Sequence, residues 1–327
     1  MLVLDLDGLL EQVKAFSPRT IGIQLPAGLR QHAREISGFF DSRGYEVVFS
    51  GDPSYGACDV ADELMGSLGV DLLVHFGHSR MLPSSRVPMI YWDVRDDVPI
   101  LPTISGNIDL IESMGKKVGI ATTIQHVHKL GEVVEFLKGR GMTALLGNKV
   151  SRVSNPGQVL GCSFETIKGL DVDFFVYIGT GYFHPIGIAL CTDRPVLYCD
   201  PYTGACENVE KEKNLILRKR YAAIEKARSC TDFAVIVSSK RGQNRFSEAL
   251  GIKKLLKNNG KNCQLIFAEE INNSIIQDFD FEVFVIAACP RIAIDDASNF
   301  DKPVLTVTEV GMMFSGEEYS FDEIHKI

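Results

Sequence analysis

The chain has 327 residues and a formal net charge of −8, with 45% hydrophobic and 23% charged residues. This balance is typical of a folded globular protein with two or three cores, and it excludes a disordered chain. The densest basic stretch, Lys211–Tyr221, has helical spacing and acidic neighbours, which is typical of a solvated helix face and not of a nucleic-acid groove. We therefore expect no nucleic-acid partner.

The amino-terminal stretch MLVLDLDGLLEQ has acidic residues where a signal peptide needs positive charge, and no apolar run approaches the roughly 18 residues of a membrane span. We expect a cytoplasmic protein without membrane contact, whose eight cysteines are too sparse for a disulfide scaffold and remain thiols. Val3–Gly8 also resembles the aspartate loop of haloacid-dehalogenase-type phosphatases, with Asp295 and Asp296 as magnesium ligands. The threonine that should follow DLDG is missing.

Three segments of the chain repeat one pattern, beginning at TIGIQL (Thr20), KVGIAT (Lys117) and FAVIVS (Phe233). Each holds an apolar strand, a helix-period stretch, a glycine-containing turn and a second strand. A third strand introduced by Asp or Glu and a fourth introduced by Pro complete the repeat. Strands that alternate with helices predict parallel sheets flanked by helices. The expected fold class is α/β, with three small domains in pseudo-threefold arrangement.

Two connecting segments divide the repeats. VPILPTISGNID (Val98–Asp109) is rich in proline and glycine and is predicted to be a linker, whereas Cys206–Ser229 has the pattern of a long amphipathic helix. The predicted domains are residues 1–107 with Cys58, 108–205 with Cys162, and 206–327 with the linker helix and Cys289.

One cysteine in each repeat follows a predicted strand. Cys58 comes after EVVFSG, Cys162 follows the equivalent second strand by a longer loop, and Cys289 ends FVIAAC. Because ligands of parallel sheets bind beyond the carboxyl ends of the strands, we expect these thiols to meet at one point. Three unrelated buried thiols are the alternative, since no CxxC spacing is present. Of the other cysteines, Cys206 is left open and the following are predicted to be core thiols: Cys191, Cys199, Cys230 and Cys263.

Three thiolates that lie far apart in the sequence favour a 4Fe-4S cluster over zinc. Structural zinc normally has a fourth ligand from nearby sequence, whereas a cubane held by three cysteines leaves one iron free. A free iron is an open coordination position that can receive a substrate and pass it an electron.

YGACD around Cys58, the loop around Cys162, SSKRGQ (Ser238–Gln243) and AACPR around Cys289 resemble the archaeal 2-(3-amino-3-carboxypropyl)histidine synthases of diphthamide biosynthesis. The resemblance covers nearly the whole chain. It implies that the three cysteines hold a 4Fe-4S cluster and that S-adenosylmethionine binds at the free iron. The reduced cluster then breaks the bond between the sulfur and the γ-carbon of the methionine moiety.

The same resemblance implies the partners. The 3-amino-3-carboxypropyl group joins an imidazole carbon of a histidine in elongation factor 2, and methylthioadenosine is released. An electron donor for the cluster and a homodimer are also implied. The common CxxxCxxC motif of radical enzymes is absent from the sequence, as expected for this separate lineage.

A zwitterionic amino acid needs a cation and backbone donors. Arg291 and Lys240, together with Ser238, Gly242 and Gln243 of the loop after FAVIVSS, are predicted to supply them. A surface salt bridge is the alternative for Arg291, and a helix N-cap is the alternative for Ser238.

Four other side chains lie near the predicted centre. His78 and His184 are expected to be satisfied polar residues and not metal ligands. Tyr55 and Tyr182 are expected to line the pocket or to serve in packing.

Two other functions stay open. A quinolinate synthase also brings three cysteines from three repeated α/β domains to one cluster, but it has no need of S-adenosylmethionine. A three-domain binding protein with ordinary core thiols would be colourless after anaerobic purification.

Overall fold

The computed structural model describes residues 2–150 and 152–325. Its strands are, in chain order, β1 (Leu2–Val3), β2 (Thr20–Gln24), β3 (Glu46–Phe49), β4 (Leu72–Phe76), β5 (Met89–Trp92), β6 (Arg95–Asp96), β7 (Lys117–Thr122), β8 (Thr143–Leu146), β9 (Phe174–Ile178), β10 (Val196–Cys199), β11 (Cys206–Asn208), β12 (Asp232–Ser238), β13 (Asn262–Ala268), β14 (Val283–Ala287) and β15 (Val304–Thr306). Its α-helices are α1 (Leu6–Lys14), α2 (Ala33–Asp41), α3 (Asp62–Ser67), α4 (Leu101–Gly106), α5 (Ile108–Ser113), α6 (Leu130–Gly139), α7 (Phe183–Thr192), α8 (Glu210–Arg228), α9 (Phe246–Asn258), α10 (Asn273–Asp278), α11 (Arg291–Ile294) and α12 (Val307–Ser315). No helix within these ranges is both long and apolar enough to cross a bilayer.

Most strands belong to three sheets that share one strand order. The first sheet is ordered β3-β2-β4-β5, the second contains β8-β7-β9-β10, and the third is β13-β12-β14-β15. Neighbours within these sets of four are parallel. The repeated pattern thus predicted the α/β fold class correctly, and the domain bounds at 107 and 205 stay a prediction.

The central strands are apolar runs because both of their faces are covered. In β14, Val283 and Val285 pack into one hydrophobic cluster, whereas Phe284 and Ile286 pack into the cluster on the opposite face. This alternation follows from the two-residue period of a strand. Fully burying each such side chain contributes about 1.5–3 kcal/mol, so the sheet is a rigid base for the loops at its edge.

The segment Val98–Asp109, predicted to be a linker, is largely helical. The segment forms α4 and the start of α5, and Ile100 and Ile104 are fully buried. Their spacing of four residues buries both on one face of a helix. Pro102 lies in the first turn, where a backbone N–H would have no partner within the helix, so the proline breaks no hydrogen bond.

The connection to the third sheet matches its prediction in part. α8 covers Glu210–Arg228 of the predicted helix, but Cys206–Asn208 forms β11, which pairs antiparallel with β10. The second sheet therefore extends three residues past the predicted boundary at 205. In the third repeat, PVLTVTE is a strand only as far as Thr306, because Thr306 and Glu309 form a capping box that begins α12.

One pair of cysteines departs from the expected thiol state. Cys199 and Cys206 face each other across β10 and β11 and form a disulfide. The prediction that Cys199 is a free core thiol is therefore wrong. The pairing depends on the antiparallel edge strand, which the sequence pattern did not indicate. Cys263 is a buried thiol, and Cys191 and Cys230 are partly buried thiols that pack against core clusters.

Candidate metal centre

A cavity of about 240 Å³ is lined by Cys58, Cys162 and Cys289. Cys58 lies in the loop after β3, Cys162 lies in the loop after β8, and Cys289 follows β14 directly. Each thiol thus comes from the carboxyl end of a strand in a different sheet. The structure brings together the three cysteines that were expected to meet.

The electrostatics of the three thiols shows how closely they interact. Burial and, to a smaller extent, the charge of Cys162 raise the pKa of Cys58 to about 12. Burial and the charges of Cys162 and Cys58 also raise the pKa of Cys289 strongly. Because thiolates in this cavity repel one another, a group that carries positive charge would stabilise them there. The iron ions of a cluster have that property.

The arrangement of the candidate ligands distinguishes a site for one metal ion from a site for a cluster. Within residues 2–150 and 152–325, no three His, Cys, Asp or Glu side chains are close enough to hold a single metal ion. A cubane cluster binds each thiolate at a different iron, so its ligands stand farther apart than those of one zinc ion. Three thiols around one cavity therefore fit a 4Fe-4S cluster better than mononuclear zinc.

The SSKRGQ loop supports the loop that carries Cys58. Gly242 N donates to the carbonyl oxygen of Cys58 at 3.2 Å, and Gln243 Nε2 lies 3.3 Å from Cys58 Sγ. A Cβ at position 242 would lie 2.4 Å from Cys58 Cα. Gly242, predicted to bind the cofactor, thus contacts the backbone of a proposed ligand, and Gln243 contacts the sulfur itself.

Gly242→Ala is expected to lower the iron bound per chain after anaerobic reconstitution. The added methyl group must displace the Cys58 backbone, and such overpacking costs about 1–3 kcal/mol. Gly251→Ala in α9 is the matched control, because a Cβ there meets no atom within 4 Å and helix propensity favours alanine. Full iron content in the Gly242 variant would contradict the close packing.

Arg152 lies beside the thiols and was missed by the sequence analysis. Its side chain is 2% exposed. Nη2 lies 3.2 Å from Met81 Sδ, 3.2 Å from Gly242 O and 3.8 Å from Cys162 Sγ. The guanidinium therefore contacts all three repeats and places a positive charge next to one thiol. Only its position in the same glycine- and proline-containing loop as Cys162 could have indicated this role.

Arg291 is 4% exposed and lines the thiol cavity, and the salt bridge that it forms with Asp295 is largely buried and not at the surface. Its Nη2 donates to Phe183 O at 2.8 Å and to Asp295 Oδ1 at 2.7 Å, and the guanidinium stacks on the Phe183 ring at 3.9 Å. Nη1 is buried and makes no hydrogen bond within the described part of the chain. Arg291 thus keeps an unused donor close to the thiols.

A second cavity of about 320 Å³ adjoins the first and shares Cys289 and Arg291 with it. Ser238 and Lys240 line this second cavity and not the thiol cavity. Lys240 Nζ is 2.8 Å from Asp59 and 2.5 Å from Glu270, so its charge is already balanced.

Ser238 has a local role. Its Oγ accepts from Lys240 N at 3.1 Å, which stabilises the turn after β12 and does not cap an α-helix. The two residues therefore shape the loop beside the thiols.

The two histidines of the cavity wall are neutral. Burial lowers the pKa of His78 to about 4, and burial with the charge of Arg291 lowers the pKa of His184 to about 3. Each ring has a protein partner at Nδ1: His78 Nδ1 lies 2.9 Å from His75 Nε2, and His184 Nδ1 lies 3.3 Å from the Tyr177 hydroxyl. The expectation of polar residues with protein partners therefore holds for this nitrogen of each ring.

The aromatic residues divide between the two expected roles. Tyr55 lines both cavities and is 65% exposed. Tyr182 lines neither of them, and its hydroxyl donates to Glu207. The neighbouring Phe183 takes the wall position instead.

Comparison with known proteins agrees with this architecture. A family model described as "Putative diphthamide synthesis protein" matches residues 25–325. The chain is 41% identical to the 2-(3-amino-3-carboxypropyl)histidine synthase of Pyrococcus horikoshii over 317 residues, which is 97% of this chain and 92% of that protein. A synthase of the same name from Methanocaldococcus jannaschii is 30% identical, with 96% and 90% covered.

Comparison with solved structures points to the same family. The crystal structure of Dph2 from Pyrococcus horikoshii with a 4Fe-4S cluster superposes with a TM-score of 0.94 at 39% identity, covering 99% of this chain and 95% of that one. Because sequence and fold both match almost from end to end, this chain belongs to the family of diphthamide synthesis proteins.

Proposed function

We propose that this chain is a 2-(3-amino-3-carboxypropyl)histidine synthase, which transfers the 3-amino-3-carboxypropyl group of S-adenosylmethionine to a histidine of elongation factor 2. The observation that carries the proposal is one cavity lined by a cysteine from each of three repeated sheets, in a family whose member Dph2 was crystallised with a 4Fe-4S cluster. Membership of this family disfavours the quinolinate synthase, the phosphatase and the simple binding protein.

Cys58, Cys162 and Cys289 would hold the 4Fe-4S cluster and leave one iron without a protein ligand. When bound and reduced, such a cluster supplies the electron that breaks the bond between the sulfonium sulfur and the γ-carbon. The chain decides which of the three carbon–sulfur bonds is presented, because orientation within the cavity selects the bond that reacts.

The residues that line the thiol cavity have distinct roles. Arg291, with its unused buried donor, is suited to the carboxylate of the methionine moiety. Buried Val159 and Ile124 line the same cavity and exclude water from the reacting carbon. Arg152 stabilises the charge on the Cys162 sulfur from its distance of 3.8 Å.

The second cavity offers a route for the acceptor. Exposed Tyr55 lies at this cavity, and Glu269, Glu270 and Asp296 line it. Because Cys289 and Arg291 border both cavities, an imidazole that enters here would approach the thiol cavity. Elongation factor 2 as acceptor, an external electron donor, a homodimer and a cytoplasmic location complete the proposal, with no part for nucleic acid or a membrane.

Anaerobic incubation of the reconstituted, dithionite-reduced protein with S-adenosylmethionine tests the proposal. Methylthioadenosine is the expected nucleoside product, measured by chromatography with mass detection. Protein without iron is the control and should leave S-adenosylmethionine intact. Formation of 5′-deoxyadenosine, or no cleavage by the iron-loaded protein, would contradict the proposed bond selection.

A further inference from the structure

A line of hydrogen bonds runs from Gln24 through His75 to His78 at the wall of the thiol cavity. Gln24 Nε2 donates to Asp59 O at 2.9 Å, and Gln24 Oε1 accepts from Ala61 N at 3.0 Å. These two bonds determine which end of the amide is oxygen. The same Oε1 lies 2.8 Å from His75 Nδ1. Because an amide oxygen only accepts, the hydrogen of His75 lies on Nδ1.

The tautomer of His78 follows from that of His75. Burial lowers the pKa of both rings, so each neutral imidazole carries one hydrogen. His75 uses its hydrogen on Nδ1, and its Nε2 can only accept. His78 Nδ1 lies 2.9 Å from that nitrogen and must donate to it. His78 Nε2 is then a bare acceptor, and it has no hydrogen-bond partner among residues 2–150 and 152–325.

The chemistry of the cavity indicates what this acceptor binds. The wall contains the guanidinium groups of Arg152 and Arg291, and none of the described wall residues is an aspartate or glutamate. An amino acid bound here would find cations for its carboxylate, whereas the side-chain oxygen and nitrogen acceptors that this wall offers its ammonium group are neutral. A neutral imidazole nitrogen in a predetermined tautomer is such an acceptor and needs no reorganisation on binding.

We propose that His78 Nε2 accepts a hydrogen bond from the α-ammonium group of S-adenosylmethionine, and that His75 and Gln24 are positioning residues that hold His78 in the required tautomer. The inference rests on the proposed function, because it concerns the donor substrate of the same site. It assigns the recognition of the amino group to the first repeat, whereas Arg291 of the third repeat is suited to the carboxylate.

Two substitutions of His78 distinguish the role of its Nδ1 from the role of its Nε2. In His78→Asn, the side-chain amide can still donate to His75 Nε2 from near the Nδ1 position, but the acceptor at Nε2 is lost. In His78→Gln, the longer side chain can place its oxygen near the Nε2 position. Equilibrium dissociation constants are measured on the reconstituted protein with an oxidised cluster, so that no turnover occurs, for S-adenosylmethionine and for its analogue without the α-amino group.

The asparagine variant is expected to bind S-adenosylmethionine about 10- to 100-fold more weakly than the unchanged protein, which is the usual effect of one hydrogen bond to a charged group. Its affinity for the analogue should be unchanged, and the glutamine variant should recover part of the loss. Equal weakening for both ligands, or no weakening for either, would overturn the inference. Iron content measured on the same samples shows that the site is intact.

The unchanged protein provides a test that needs no variant. It should bind S-adenosylmethionine about 10- to 100-fold more tightly than the analogue, and equal affinities would overturn the inference even where a variant fails to fold. The proposed function itself fails if the iron-loaded protein binds no S-adenosylmethionine. If the protein binds S-adenosylmethionine and the analogue equally tightly, only the proposed role of His78 fails.

Discussion

Replacing Cys58, Cys162 or Cys289 with alanine is expected to remove the iron–sulfur cluster and with it the formation of methylthioadenosine. Within the part of the chain that the structure describes, each cysteine is the sole thiol that its sheet contributes to the wall of the cavity, so no second thiol is there to replace a lost one. A cluster held by two cysteines exposes a second iron to solvent and is lost. Iron and sulfide per chain and the visible absorbance after anaerobic reconstitution measure the effect.

Cys263→Ala and Cys230→Ala are the controls. Cys263 is buried against the third sheet, and Cys230 is partly buried at the end of α8. Neither lines the thiol cavity, so both variants should keep their iron and lose on the order of 1 kcal/mol of stability. Equal loss of iron from all five variants would show that the assignment of ligands is wrong.

Arg220→Leu is expected to lower the free energy of unfolding by about 3–5 kcal/mol. Arg220 and Glu309 form a buried ion pair with side chains 1% and 0% exposed. Nε and Nη2 donate to the carboxylate at 2.7 and 2.6 Å. Nη1 donates to Ala293 O at 2.6 Å, and Nη2 also donates to Val304 O at 2.7 Å. The substitution leaves Glu309 charged, buried and without its partner.

Urea unfolding followed by circular dichroism measures this loss. Arg228→Leu in the same helix is the control, because the pair of Arg228 with Glu225 is 44% and 75% exposed, and such pairs contribute at most about 1 kcal/mol. Similar midpoints for the two variants would contradict the importance of the buried pair.

Arg220 is also linked to the segment that carries Cys289. Ala293, whose carbonyl accepts from Arg220, lies in α11, which begins two residues after Cys289. Arg220 therefore ties α8 to the short segment that carries the third thiol. We expect Arg220→Leu to reduce iron content as well as stability, since the position of Cys289 depends on this segment.

The order of elements and the three thiols could be predicted from the amino-acid sequence. An apolar strand such as β14 is buried at every position, and its continuous run of apolar residues encodes this. The rule that loops gather at the carboxyl ends of parallel strands then placed Cys58, Cys162 and Cys289 at one edge. These inferences need only local periodicity and a general property of parallel sheets.

Other features depended on contacts between distant parts of the chain. Lys240, which is predicted to bind substrate, pairs with Asp59, 181 residues away in the sequence. Arg152 meets Gly242 across 90 residues, and the partner of Cys199 depends on the antiparallel pairing of β10 and β11. No local pattern encodes such pairs, because burial and charge compensation arise only when loops from different sheets pack together.

The sequence by itself therefore determined which secondary structures form, the repeat of three sheets and the cysteines at their edges, because hydrophobic periodicity is a property of neighbouring residues. Only the tertiary structure decided which charges are already paired, which histidine nitrogen is left to accept, and which side chains surround the thiols. Those properties depend on the local solvent exposure and on partners from other sheets, and both are set by packing in three dimensions.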